Sequence, residues 1–444
     1  MERKLGPVSW IHSQADMANL LEVITTAEEI VFDLETTGLD EHAVTRGKSN
    51  GGVAARIALA SFTIPQANNE GEWDGADPTT YVLPLSHQWS HWRGNWRSIT
   101  RKVFQRIVEY EKPCSNQNIK FDAKWIKATT GVDIAHLISW DTQVGSHLLD
   151  ENSSTKLKEG VPRDLGIERW DEDIDFKEPG SAERIDLFTL GTYAAGDTYR
   201  AWQWKRWQQK MMYLREVDEE PIFDEEIQNA RLGKLATWVA MPTVNSLTRI
   251  EQNGMRLDVP WVEEHLEADR KTAKEALDEM ADRYGQDRKS ASTAPTSLWF
   301  KEFTQRAVQA GDLTVAAMTD SGNPQWTKGV LTRQERQALA NGDENSTAGL
   351  ILRQRQAAKR AEFLRSWLGD VSVDGYIHTT YHPGRVNTGR LSSSGPNMQQ
   401  IAKSLRPAFL PREGYYMVDL DFSQIELRVA AQLSQSPPMV QAFQ

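Results

Sequence analysis

The stretch VFDLETTG sets Asp33 and Glu35 two residues apart in an apolar, strand-like run, a spacing that projects both carboxylates from one face of one strand. Carboxylate oxygens are the ligands that hard divalent cations require. Two such ions held roughly 3.5–4 Å apart can activate a water and stabilise the leaving oxygen of a phosphodiester. Further candidates follow. In SNQNIKFDAKWI, Asn118 and Asp122 lie four apart, and in LGTYAAGDTYRAWQWKRW, Tyr193 and Asp197 do the same; on a helix that spacing stacks two side chains on one face. Phosphodiester hydrolysis develops charge on the attacking and leaving oxygens, which bound cations and a hydrogen-bonding phenol stabilise without a covalent intermediate. Taken singly, an Asp-x-Glu strand is an ordinary solvated edge, and a Tyr and an Asp at helical spacing are ordinary surface and core residues. The ordered set of three, each in its strand or helix context, is what singles them out.

In order, spacing and local sequence, these segments resemble the three exonuclease motifs of the DEDD proofreading nucleases, in the subclass where a tyrosine precedes the last aspartate by four. The resemblance implies that Asp33, Glu35, Asp122 and Asp197 bind two Mg²⁺ ions, with Mn²⁺ as a substitute, that Tyr193 orients the attacking water, and that Asn118 contacts DNA.

The carboxy-terminal part carries a second signature. HPGRVNTGRLSSSGPNMQQI is followed by LRPAFLPREGYYMVDLDFSQIELRVAAQLS, and together they resemble the start of the palm in family A DNA polymerases, the DNA polymerase I relatives. By that resemblance Asp421 is the first metal-binding carboxylate of the polymerase site and Glu426 the residue that excludes a 2′-hydroxyl. Phe422, Ser423, Gln424 and Ile425 line the incoming triphosphate, and Arg428 supports them. YYMVDL is rich in β-formers and QIELRVAAQLS is helix-like, so Asp421 is expected at a strand-to-helix turn. Asp421 and Ser423 also suit a helix N-cap. Asp419, two residues earlier, departs from the family pattern; it could add a ligand or sit hydrogen-bonded in a sheet. The resemblance also assigns Arg390, Asn397 and Gln399, with Gln400 less firmly, to the minor groove at the primer end, where acceptors common to all base pairs report geometry without sequence.

Family A polymerases complete their site with a fingers helix and a His-Asp-Glu turn that supplies the second metal carboxylate. Neither is found in this sequence, which ends shortly after Asp421. One carboxylate cannot hold two metals, so polymerisation is expected only with a second, carboxy-terminal chain. Two explanations stand: a split gene whose amino-terminal product this is, which the initiating Met favours, or an experimental fragment. Severed palm strands would expose sheet edges and apolar surface, and so would associate tightly with a complementary chain.

A length of 444 residues suits two or three domains. The sequence has no early apolar signal segment and no membrane-spanning stretch, so a soluble, cytoplasmic protein is expected, in the host cytoplasm if it is phage-encoded. Cys114 is the single cysteine, which excludes an internal disulfide and a cysteine-rich zinc site. The net charge of −11 is unusual for a DNA-binding protein, but acid clusters that take up metal contribute to it and local basic stripes matter more than the total. Such a stripe is ILRQRQAAKRAEFLRSWL, with Arg353, Arg355, Lys359, Arg360 and Arg365 on a long helix after the capping candidates Ser346 and Thr347. Alone it is a solvated face; beside a palm motif it is expected to track the phosphate backbone. An earlier helix is predicted to start at Asp258 and Pro260. Both helices resemble the thumb of the family. The tryptophans 89, 92, 96, 202, 204 and 207 read as packing or interface residues. Segments 41–52 and 170–184 read as surface loops.

The fold class expected is α/β: a ribonuclease H-like exonuclease domain over 1–210, a mostly helical thumb over 211–370 and an incomplete α+β palm over 371–444. The expected function is 3′-to-5′ trimming of single-stranded or frayed DNA ends, as the proofreading half of a replicative polymerase that takes primer-template and, once complemented, deoxynucleotides. The compact layout suggests a phage protein. Competing readings are a non-catalytic DNA-binding subunit and a stand-alone nuclease with a palm remnant.

Overall fold

Past the edge strand β1 (Val8–Trp10), Ser13 starts helix α1 (Gln14–Thr26) with a reciprocal cap. Its Oγ accepts from Asp16 N at 3.2 Å while Asp16 Oδ2 accepts from Ser13 N at 2.8 Å, which satisfies two donors that the helix start would leave free. The computed structural model describes residues 5–39, 41, 55–65, 77–170, 174, 176, 178, 180–213, 232–319, 322–372 and 374–443. The loop read at 41–52 lies, apart from Glu41, outside the described residues, as do positions 171–173, 175, 177 and 179 of the loop read at 170–184.

Strands β2 (Ile30–Thr36), β3 (Ile57–Ile64) and β4 (Thr79–Pro84) pair antiparallel in succession. Helix α2 (Trp96–Glu109), β5 (Cys114–Asn116), α3 (Ile119–Thr130), β6 (Ile138–Asp141), α4 (Thr142–Leu149), α5 (Leu157–Leu165) and the long α6 (Leu187–Tyr213) follow. The strands form one sheet in the order β1-β4-β3-β2-β5-β6, with β5 parallel to β2 and β6 parallel to β5. All eight residues of β3, IALASFTI, are buried, and its near-continuous apolar run is what a strand covered on both faces requires. One face packs on α1, α2 and α3 through Leu20, Phe104 and Ile126 against Phe32 and Phe62. The other packs on α6, where Leu190, Ala194 and Ala195 meet Leu59 and Val82. Small residues let that helix come close: a Cβ at Gly191 would overlap the Trp10 ring. Cys114 is buried in β5, and burial pushes its thiol up to about 12, which makes it a packing residue and no nucleophile.

A short helix α7 (Leu232–Leu235), a π-type turn (Ala236–Ala240) and α8 (Met241–Asn253) come next. Met241 and Val244 belong to the same core as the sheet, so this stretch packs with the amino-terminal unit although it falls inside the segment read from sequence as thumb. After β7 (Met255–Leu257), helix α9 (Val259–Arg283) starts where the sequence predicted, Asp258 accepting from Trp261 N at 3.1 Å. Helices α10 (Leu298–Gln309) and α11 (Lys328–Ala340) precede α12 (Thr347–Asp370), which Ser346 caps by accepting from Gly349 N at 3.2 Å. Helices α9 and α12 run antiparallel: Met280 shares a core with Ile351 at one end, and Val262 with Trp367 at the other. Trp299, Phe300 and Phe303 of α10 close the distal end.

The last stretch holds β8 (Tyr376–Ile377), β9 (Thr380–His382), β10 (Ser392–Ser394), β11 (Phe409–Leu410), α13 (Ile425–Ser434) and α14 (Pro437–Ala442). They make a three-stranded sheet β11-β7-β8 and a β9/β10 hairpin. The strand expected over YYMVDL is not formed. Residues 415–420 run without ladder partners, with Tyr416 93% and Leu420 89% exposed. High β-propensity describes a fit to a half-buried pleated surface, and among the described residues no strand lies beside this segment to provide one. Helix α13 does form, but its N-cap is Gln424 in the left-handed region (φ 53°) and not Asp421 or Ser423. No described helix is long and apolar enough to cross a membrane.

Candidate active site

Strand β2 presents Asp33 and Glu35 two residues apart, and α6 crosses that face of the sheet with Tyr193 and Asp197 one turn apart. Carboxylate oxygens of Asp33, Glu35 and Asp197 all lie within 4.8 Å of one another. Asp122, in the first turn of α3, is not in that set but is tied to it. Asn116, at the end of β5, donates Nδ2 to Asp33 Oδ1 at 2.9 Å and to Asp122 Oδ2 at 3.1 Å. Asp122 is 2% exposed, and its Oδ1 is buried without a hydrogen-bond partner, an arrangement that normally costs free energy unless a ligand completes it. An all-oxygen donor set with one orphaned carboxylate oxygen fits a hard divalent cation.

Crowding shows in the electrostatics. Burial, reinforced by the Asp197 charge, pushes Asp33 up to about 6. Burial also pushes Glu35 and Asp122 well above the usual carboxylate range, with the Asp33 charge adding to both. Asp197 is raised by burial too, against the opposing pull of Lys158, which ion-pairs with it, and of Trp170, whose Nε1 donates to Asp197 Oδ1 at 2.5 Å. Burial first, then Asp197, holds the Tyr193 phenol above its usual value, so it stays protonated and keeps a proton to donate.

Asn116, Lys158 and Trp170 were missed by sequence reasoning. For Asn116 a signal existed: a polar amide closes a short apolar strand parallel to β2, and the carboxyl ends of such strands are where open α/β sheets hold ligands. Lys158 and Trp170 lie in segments between the motifs, and nothing in their spacing points inward.

Asn118 occupies the N-cap of α3 in the left-handed region (φ 55°), donating its N–H to Asp141 Oδ1 at 3.1 Å. It lines a cavity of about 280 Å³ together with Leu39, Lys120, Lys124 and Glu251. There α3 is clamped to the carboxy-terminal part. Lys120 ion-pairs with Glu251 of α8 and donates to Tyr381 O, Lys124 Nζ lies 3.2 Å from Glu251 Oε2, and Glu251 Oε1 accepts from Tyr381 N at 2.8 Å.

On α12 the basic residues Arg353, Arg355, Lys359 and Arg360 are engaged by other groups of the protein. Arg355 is half-buried, donating to Trp326 O at 2.7 Å and Thr293 O at 2.9 Å, and Arg360 makes a forked pair with Asp269 of α9. Arg353 pairs with Glu279 at 2.7 Å and Lys359 with Glu362 at 2.8 Å, both on the exposed side, where Arg365 also lies. A helical wheel shows which residues share a face but not which face the neighbouring helix closes.

Further along, Arg390 Nη2 donates to Glu426 Oε1 at 2.5 Å on the surface. Asn397 Oδ1 accepts from Ser393 Oγ and Gln399 N, and Gln399 Nε2 donates to Leu391 O at 3.0 Å. Asp421 and the segment Phe422 to Glu426 are exposed. Asp419 pairs with Arg406 at 3.1 Å rather than joining Asp421. Trp92, Trp96, Trp202 and Trp204 are buried, Trp207 is half-buried and Trp89 is 71% exposed.

Residues 264–444 match the model for DNA polymerase family A. The chain is 28% identical over 455 residues to DNA polymerase I of Pseudomonas aeruginosa, an alignment spanning 97% of this chain and 43% of that protein. It is 27% identical over 339 residues to DNA polymerase I of Aquifex aeolicus, spanning 75% of this chain and 54% of that one. The chain thus covers about half the length of these curated polymerase relatives. Among solved structures it is similar to the POL domain of Pol1 from M. smegmatis, in complex with DNA primer-template and dNTP. The TM-score is 0.66 at 16% identity, over 98% of this chain and 64% of that one, a likeness of fold.

Proposed function

We propose that the amino-terminal unit is a DEDD-type 3′-to-5′ exonuclease of the ribonuclease H class, and that the chain is the proofreading portion of a family A replicative DNA polymerase. The observation that carries this is the convergence of Asp33, Glu35 and Asp197 within 4.8 Å, with Asp122 joined through Asn116 and the Tyr193 phenol one turn from Asp197. The mixed sheet, with β5 and β6 running parallel beside an antiparallel β4-β3-β2 meander, supports the fold class.

Asp33, Glu35, Asp122 and Asp197 would hold two Mg²⁺ ions. When bound, such ions supply an activated water and stabilise the leaving oxygen. Tyr193, kept protonated, orients the attacking water as a hydrogen-bond partner. Asn116 fixes the directions of two carboxylates, and burial of the site strengthens each of these interactions. The substrate is a single-stranded or frayed DNA 3′ end, which a mispaired primer provides more readily than a paired one.

The polymerase region is proposed to act on primer-template only with a carboxy-terminal chain that supplies the fingers and the second metal carboxylate. In that complex Asp421 takes a metal ion, and Phe422, Ser423, Gln424, Ile425 and Glu426 take the deoxynucleotide. Arg390, Asn397 and Gln399 contact the minor groove, and the exposed cations Arg353, Lys359 and Arg365 the phosphates. The apolar side chains left exposed over 415–433 support such a partner. A phage protein working in the host cytoplasm is the setting proposed. The test is Mg²⁺-dependent digestion of a labelled single strand by this chain and its Asp33→Ala/Glu35→Ala variant. Loss of digestion in the variant is expected, and absence of digestion in both would overturn the reading.

A further inference from the structure

The exonuclease reading assigns the four acids and the phenol but leaves a cation at the same spot without a role. Lys158 stands in the first turn of α5, where the helix dipole disfavours positive charge, and its side chain is only 16% exposed. It ion-pairs with Asp197 Oδ1, the oxygen that Trp170 Nε1 also reaches, and its charge acts on Asp33 and Glu35 as well. Its Nζ lies 4.1 Å from the centroid of the Tyr193 ring and 4.2 Å from that of Trp170.

Three acids this close repel one another unless a cation sits among them, and an ammonium in the first turn of a helix is poorly placed unless acids compensate it. Each need answers the other. A divalent ion and an ammonium compete for the same Asp197 oxygen, so binding of either weakens the other by an equal factor. The two rings give the displaced ammonium somewhere to rest, because cations are attracted to aromatic faces. Resting room of that kind makes exchange feasible without unfolding α5.

We propose that Lys158 is a built-in counter-ion that holds Asp197 until a divalent cation displaces it, and so sets the cation concentration at which the site fills. This rests on reading the acid cluster as a metal site. Lys158 is a positioning residue here, acting on the cation through Asp197.

The test is Mn²⁺ binding to the full chain, by calorimetry or by the spin resonance of free Mn²⁺, for the parent, Lys158→Met, Lys158→Gln and Lys158→Arg. The Met and Gln variants are expected to bind Mn²⁺ about tenfold more tightly, equivalent to about 1.4 kcal/mol, while the Arg variant binds no more tightly than the parent. Without Mn²⁺ the two neutral variants melt below the parent, and saturating Mn²⁺ closes that gap. Two neutral variants of different shape separate loss of charge from loss of packing. Parent-like or weaker Mn²⁺ binding in both, with binding intact in the parent, overturns the counter-ion role and leaves the metal-site reading standing. No Mn²⁺ binding in any of the four overturns both.

Discussion

The side-chain amide of Asn116 donates to Asp33 at 2.9 Å, joining the end of β5 to the first acid of β2. The same nitrogen reaches Asp122, so one amide orients carboxylates from a strand and a helix. Outer partners of this kind typically matter by about 10- to 100-fold in metal affinity or activity. Asn116→Ala is therefore expected to weaken Mn²⁺ binding and single-strand digestion within that range while far-ultraviolet circular dichroism stays unchanged. Calorimetry and a gel assay read the two effects, and unaltered affinity would remove Asn116 from the account.

The raised carboxylates predict an unusual pH dependence. Burial holds Asp33 at about 6 in the fold, above its ordinary value of 3.8. Between those values the folded state binds more protons than the unfolded one, so this group's contribution to stability falls as pH rises from about 4 to about 6 and is level above. Asp33→Asn should thus be more stable than the parent in chelator at about pH 7.5, by about 3 kcal/mol, with the gap closing near pH 4. Mg²⁺ should narrow or reverse the order, because a ligand that binds the native state stabilises it. Calorimetric scans across pH measure this, and a parent that melts higher in chelator at neutral pH would contradict it.

Glu251 is buried between Lys120 and Lys124. Removing one member of a buried ionic cluster leaves uncompensated charge, at a cost of about 3–5 kcal/mol. Glu251→Gln is expected to lower the urea midpoint accordingly and to loosen the contact with Tyr381, since Glu251 also accepts from its N–H. Hydrogen exchange at residues 376–382 reports the second effect. A midpoint within error of the parent would show the cluster to be energetically idle.

The acid motifs were legible because spacings of two and four are properties of strands and helices themselves, whatever surrounds them. The caps at Asp258 and Ser346 were legible for the same local reason. Asn116 and Lys158 reach the site from segments whose contacts arise only once β5 lies beside β2 and α5 beside α6. Arg355 and Arg360 look like free cations on a helical wheel until α9 and the segment around Trp326 close over them. The stretch 415–420 has the residues of a strand and lacks the neighbour that would make it one. Helix α8 packs on the sheet core rather than with α9, because its apolar face matches β6 and α3, a preference that no linker composition announced.

For the polymerase region, this chain alone is expected to give no primer extension, and extension should appear when a carboxy-terminal chain bearing fingers and the missing carboxylates is added. Asp421→Ala should abolish the reconstituted extension and leave single-strand digestion at the parent rate. Amide exchange over 415–434 should slow on complex formation as the exposed apolar side chains are covered. Extension by this chain alone, or by the reconstituted Asp421→Ala variant, would contradict that assignment.

The most direct test of the central claim is digestion of a 3′-mispaired, 5′-labelled primer-template in Mg²⁺ by the parent chain and by Asp33→Ala/Glu35→Ala. The parent should shorten the primer stepwise from its 3′ end and the double variant should leave it at full length. Full-length primer with both proteins, or equal shortening by both, would contradict an exonuclease built on these carboxylates.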